Sequence, residues 1–130
     1  MRTIRSFVRR AGRVTASQQR ALEELWPLYG VDDDGQVLSF AELFGRDAPV
    51  VLEIGFGNGE TFVKQAAADP ERNYLGSEVH EPGIGPCLIK AQEAGIDNLR
   101  IITHDAVEVL QTRVASGSLA RLNLYFPDPW

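Results

Sequence analysis

The segment Val50-Val51-Leu52-Glu53-Ile54-Gly55-Phe56-Gly57-Asn58-Gly59-Glu60 runs from an apolar stretch into a turn with glycine at every second position. Short apolar runs ending in glycine read as buried strands, and alternate glycines let the backbone turn tightly and approach a ligand where a Cβ would clash. An acid, Glu78, follows 23 residues after Gly55. At that spacing it falls at the tip of the next strand of a βαβ unit, where a carboxylate can accept both hydroxyls of a ribose. Together these features point to a nucleoside-binding site.

The glycine spacing narrows the ligand further. A dinucleotide fold of the G-x-G-x-x-G type needs a small residue at position 60, so that the helix start can lie under a pyrophosphate. Position 60 is Glu. Negative charge suits a helix N-terminus, but beside a phosphate it repels, which points away from a phosphate-bearing ligand. Glu53 adds a second acid near the same pocket and suits a cationic group such as an ammonium or a sulfonium. The pattern E-x-G-x-G-x-G, carried by Glu53, Gly55, Gly57 and Gly59, resembles motif I of class I S-adenosylmethionine-dependent methyltransferases.

Composition is that of one ordinary domain: 130 residues, 44% hydrophobic and 24% charged. The sequence has no apolar run of membrane-spanning length and no apolar signal core, so neither a membrane nor a secretory reading is supported. A single cysteine, Cys87, cannot form an internal disulfide, and a cytoplasmic location is expected. The net charge of −5 is unevenly spread. Residues 1–20 hold six arginines and no acid, which leaves 7 basic against 18 acidic groups in the remainder. Arginine pairs with phosphate through two parallel donors, so Arg5, Arg9, Arg10 and Arg13 are candidate contacts to a polyanion such as RNA. A solvated, disordered tail is the alternative reading of this arm.

The rest of the chain divides into 15–48, a helix and linker, and 49–130, an alternating α/β region. Thr15 or Ser17 can cap a helix over Gln18–Trp26, with Pro27 near its end. Residues 31–36 read as a polar turn, and Phe40, Leu43 and Phe44 as a short packing segment. Strands are expected over 50–54, 73–78, 99–103 and 121–126, with helices over 58–68 and 82–94. Asp105-Ala106-Val107-Glu108 reads as a capping box opening a short helix to about Arg113. This alternation predicts a parallel sheet with flanking helices and right-handed crossovers. The last residues, Phe126-Pro127-Asp128-Pro129-Trp130, follow the fourth strand, so the C-terminal half of the sheet is expected to be missing and the chain to be the N-terminal part of a longer protein.

Parallel strands bring their carboxyl ends to one rim, and four acids fall there: Glu53, Glu78, Asp105 and Asp128. Asp105 is also explained as a helix cap. Asp128, between two prolines, sits on stiff backbone without neighbouring proline N–H donors, which suits a presented carboxylate. His80 and His104 form no recognised metal-ligand spacing, and no metal is expected. Cys87 reads as a small residue in a helix.

The ordered set Arg5-Ser6-Phe7-Val8-Arg9-Arg10, Leu52-Glu53-Ile54-Gly55-Phe56-Gly57, Gly76-Ser77-Glu78-Val79-His80, His104-Asp105-Ala106-Val107-Glu108 and Phe126-Pro127-Asp128-Pro129-Trp130 closely resembles the bacterial tRNA (guanine-N7)-methyltransferase family. The last motif is the most specific of these. The resemblance implies a Rossmann-like class I methyltransferase fold and transfer of a methyl group from S-adenosylmethionine to guanine N7 in the variable loop of tRNA. It implies cofactor contacts from Glu53, Gly55, Gly57, Glu78, Asp105 and Asp128, with Asp128 as the active-site acid. A non-catalytic RNA- or partner-binding remnant, and a small-molecule methyltransferase with a disordered arm, are the competing readings.

Overall fold

The structure is a computed structural model and describes residues 16–32, 34–79 and 81–124. Four strands, β1 (Val50–Ile54), β2 (Asn73–Ser77), β3 (Leu99–Ile102) and β4 (Arg121–Leu124), form one sheet in the order β3-β2-β1-β4, and every pairing is parallel. Strand order reverses between β1 and β4. In parallel α/β sheets, ligands bind at the carboxyl ends of the strands, beside such a reversal.

Both faces of the sheet are covered, which explains why β1 is apolar at every position but Glu53. Val51, Tyr74, Leu99 and Ile101 pack in one cluster with α1 (Ala16–Tyr29), α3 (Glu60–Ala68) and α4 (Ile84–Ala94). Val50, Leu52, Leu75 and Ile102 pack on the opposite face with Val31, with Phe44 of α2 (Phe40–Phe44), and with Val109. The period-2 alternation of a strand sets this division. It also places Glu53, its β2 partner Gly76 and its β4 partner Asn123 on the α1–α3–α4 face.

Several boundaries differ from those expected of the sequence. Helix α1 runs through Pro27 to Tyr29, with Ser17 inside it and Thr15 outside the described residues. Pro27 lies on the exposed face, as does Glu23, whose carbonyl loses its donor, while Trp26 and Tyr29 anchor the last turn in the core. Helix α3 starts at Glu60 rather than Asn58, because Gly57 and Gly59 take left-handed φ of 65° and 84°. A 3-10 turn, Glu81–Gly83, precedes α4, which begins at Ile84. After β3, a single α-helical turn, Ala106–Glu108 (α5), widens into a π-helical turn, Val109–Arg113. Strands β2 and β3 each end one residue early, at Ser77 and Ile102, and β4 is described to Leu124. No described helix is long and apolar enough to cross a membrane.

Gly76 shows how tightly the β1–β2–α3 contact is filled. A Cβ there would stand 2.5 Å from Phe62 Cε2 and 2.6 Å from Phe56 Cδ2. Those two rings are stacked with centroids 5.1 Å apart, and Phe62 meets Tyr74 edge-on at 6.4 Å. Overpacking of this kind costs about 1–3 kcal/mol. Gly76→Ala is expected to lower the thermal unfolding midpoint by roughly 5–10 °C, measurable by circular dichroism.

Candidate functional site

The turn after β1 is built from three glycines with positive φ: Gly55 at 77°, Gly57 at 65° and Gly59 at 84°. No other residue type adopts such a series at low cost. The Gly55 N–H donates to the Ser77 carbonyl at 2.8 Å, so the sheet pairing of β1 with β2 continues into the turn. A Cβ on Gly59 would collide with Cys87 of α4, and one on Gly83 would collide with the Gly57 carbonyl. At Gly57 the position of a Cβ has no atom within 4 Å. The turn is thus braced from behind by α4 and the 3-10 turn, and open at Gly57.

Glu78, directly after β2, is 9% exposed, and its Oε1 accepts the Gly57 N–H at 2.7 Å. Its own N–H donates to the Ile102 carbonyl at 3.1 Å. This pair of bonds ties the acid to the glycine turn on one side and to β3 on the other. The sequence pairing of glycine turn and distant acid is therefore a direct contact.

Glu53 is 2% exposed. Its Oε1 accepts the Gln65 Nε2–H at 2.9 Å, and Gln65 Oε1 in turn accepts from Asn123 Nδ2 at 3.4 Å. Burial pushes its carboxyl above the ordinary value of 4.5, opposed by the hydrogen bonds from Gln65 and Asn123 and by the positive charge of Arg121. Neither Gln65 nor Asn123 stood out in the sequence. The only available signal was that α3 presents Gln65 next to its apolar stripe of Phe62, Val63 and Ala66.

Asp105 caps α5, its Oδ1 accepting the Glu108 N–H at 3.0 Å. That is half of the expected capping box; the Glu108 carboxylate lies 3.4 Å from His104 Nδ1. Beside it, Arg113 is 1% exposed. Its guanidinium donates to the carbonyls of Gln36 and Asp32 and to Asp34 Oδ1, and stands 3.3 Å from His104 Nδ1. A cleft of about 320 Å³ opens over Arg113, between residues 30–43 and the π turn, and shares no lining residue with the glycine turn. Among the described residues no cluster of three or more His, Cys, Asp or Glu is placed to hold a metal. Arg5, Arg9, Arg10, Arg13, His80, Asp128 and Trp130 lie outside the described residues.

A parallel sheet with this strand order, a glycine turn at its carboxyl rim and an acid bonded to that turn define a Rossmann-like α/β methyltransferase fold. The solved structure of an antibiotic-related methyltransferase shares it, with a TM-score of 0.53 over 69% of this chain and 47% of the other, at 19% identity. Residues 47–130 match the family model described as "Putative methyltransferase", and the chain belongs to that family. It is 61% identical over all 130 residues to the tRNA (guanine-N(7)-)-methyltransferase of Aeromonas hydrophila, and 58% identical to that of Klebsiella pneumoniae. These matches bear out the resemblance read from the motifs. The chain spans about half the length of the curated relatives it matches, 55% and 54% respectively.

The raised carboxyl of Glu53 has a thermodynamic sign. A group whose pKa is raised on folding favours the fold when protonated, and that contribution is lost as pH rises through the folded-state value. Above that value the buried charge of Glu53 is a cost to the fold. Glu53→Gln is expected to raise the thermal midpoint at neutral pH, with the gain shrinking as pH falls toward 4.5, in unfolding scans across that range.

Proposed function

We propose that this chain is the cofactor-binding part of an S-adenosylmethionine-dependent tRNA (guanine-N7)-methyltransferase. The observation that carries the reading is the 2.7 Å bond between the Gly57 N–H and Glu78, which sets an acid at the lip of an open glycine turn. The names of relatives more than half identical over the whole chain supply the substrate class. When bound, S-adenosylmethionine would supply a sulfonium methyl group for the ring lone pair of guanine N7 and leave as S-adenosylhomocysteine.

The residues present fit such a group. Glu78 is held in one orientation by the turn and would accept the ribose hydroxyls. The space at Gly57 admits a ligand where a Cβ would stand. Glu53 supplies negative charge beneath the turn, toward a cationic sulfonium or ammonium. Asp105, fixed as the cap of α5, and the adjoining backbone are assigned to the adenine amino group. Because guanine N7 already carries its lone pair, no base has to create the nucleophile, and the protein's part is positioning and charge management. Asp128 is assigned as the active-site acid, accepting from guanine N1–H and the N2 amino group and offsetting the positive ring formed on N7 methylation. Arg5, Arg9, Arg10 and Arg13 are assigned to tRNA phosphates, and residues 1–14 act as a basic arm on the domain of residues 49–130. A cytoplasmic setting accords with this substrate and with the lone, buried Cys87.

Calorimetric titration with S-adenosylhomocysteine tests the cofactor site. Glu78→Ala is expected to weaken binding by about tenfold to a hundredfold, the worth of hydrogen bonds to a charged group. Equal affinity in the variant would remove the carrying observation. Deleting residues 1–13 is expected to weaken tRNA binding at low salt and to flatten its logarithmic salt dependence by roughly three units, about 0.7–0.9 for each lost phosphate contact. An unchanged slope would assign the arm elsewhere, and a methylation assay on tRNA separates the enzyme from a binding remnant and from a small-molecule methyltransferase.

A further inference from the structure

Glu53 stands between two strand neighbours of very different kind. On the β2 side its partner is Gly76, whose missing side chain is replaced by the stacked rings of Phe56 and Phe62. That wall is apolar and offers a carboxylate nothing. On the β4 side its partner is Asn123, on the same face of the sheet, and α3 lies above with Gln65. Three polar side chains from β1, β4 and α3 thus meet beside the core.

Their hydrogen bonds have one direction. Asn123 Nδ2 donates to Gln65 Oε1, and Gln65 Nε2 donates to Glu53 Oε1. An ionised carboxylate is acceptor-only, so this polarity serves the charged form of Glu53. A protonated carboxyl can still accept on one oxygen, but the ionised one accepts more strongly, so a donor held on Oε1 favours the anion. We infer that Gln65 is a positioning residue for the cofactor site: it orients the Glu53 carboxylate, favours its anion, and ties it to β4 through Asn123. The inference rests on the role given to Glu53 in the proposed function and adds the residue that makes that role physically tenable.

Among the described residues, few other charges lie near Glu53. Arg121, two residues before Asn123 on β4, favours the anion. Cys87 of α4 lies within electrostatic reach but is neutral, its thiol pushed up to about 12 by burial. Arg121 is exposed, so solvent screens its help. The half-buried amide of Gln65 donates the 2.9 Å bond that carries the orientation, with Asn123 as the second donor to the carboxyl.

The test follows the carboxyl carbon of Glu53 by NMR through a pH titration of the whole chain, in the wild type, Gln65→Met and Asn123→Ala. S-adenosylhomocysteine affinity is measured by calorimetry over the same range. Gln65→Met keeps the volume and removes the donor. Its Glu53 midpoint is expected to move up, with affinity falling about tenfold at neutral pH and further as pH drops. Asn123→Ala is expected to move the midpoint the same way by less, and its titration decides the outcome if Gln65→Met does not fold. A Glu53 midpoint that is the same in the wild type and the folded variants overturns the inference. If the wild type itself binds no S-adenosylhomocysteine, the proposed function fails, and the titration still decides whether Gln65 holds Glu53.

Discussion

A backbone forced into left-handed conformations at Gly55, Gly57 and Gly59 is the constraint on which the rest of the molecule turns. Because the chain reverses there without side chains, α4 can press Cys87 against Gly59 and the 3-10 turn can press Gly83 against the Gly57 carbonyl. Those two contacts lock the second βαβ unit to the first. The reversal also aims the Gly57 N–H at Glu78, so one element of local geometry sets both the packing behind the turn and the acid in front of it. A substitution with any L-residue would strain the backbone and disturb both.

The sheet distributes its chemistry by parity. Odd-numbered residues of β1 face α3, and even-numbered ones face α2 and the π turn. Glu53 has the parity of Val51, so it is buried among core side chains instead of lying at an open rim. The protein tolerates a carboxylate there because the amides of Gln65 and Asn123 meet it. Buried acids of this kind are costly to a fold and are found where binding requires them.

The periodic parts of this arrangement were legible in the sequence, and the non-periodic parts were not. Strand β1, the parallel alternation and the glycine–Glu78 pairing follow from apolar runs and glycine positions, which act within a few residues. The extension of α1 past Pro27 depends on Trp26 and Tyr29 finding the core, a tertiary matter. Gln65 and Asn123 were invisible because each is an ordinary polar residue until the register Glu53↔Asn123 sets them beside one acid. Asp105 showed both its cap and its rim position in the sequence, and its cap is what the geometry displays. Arg113 gave no warning at all, since a buried arginine announces itself only by its partners.

Arg113 reaches back 77 to 81 residues to Gln36, Asp34 and Asp32. Closing a flexible loop of that length costs roughly 4 kcal/mol in chain entropy, against about 1.5–3 kcal/mol for each hydrogen bond that the charged guanidinium makes. No single bond of the clasp offsets that cost, and pairing of the strands between shortens the path it has to close. Residues 32–36 precede the sheet in order of synthesis, yet their partner Arg113 follows three of its four strands. The N-terminal segment waits for a latch that the ribosome delivers near the end of these strands.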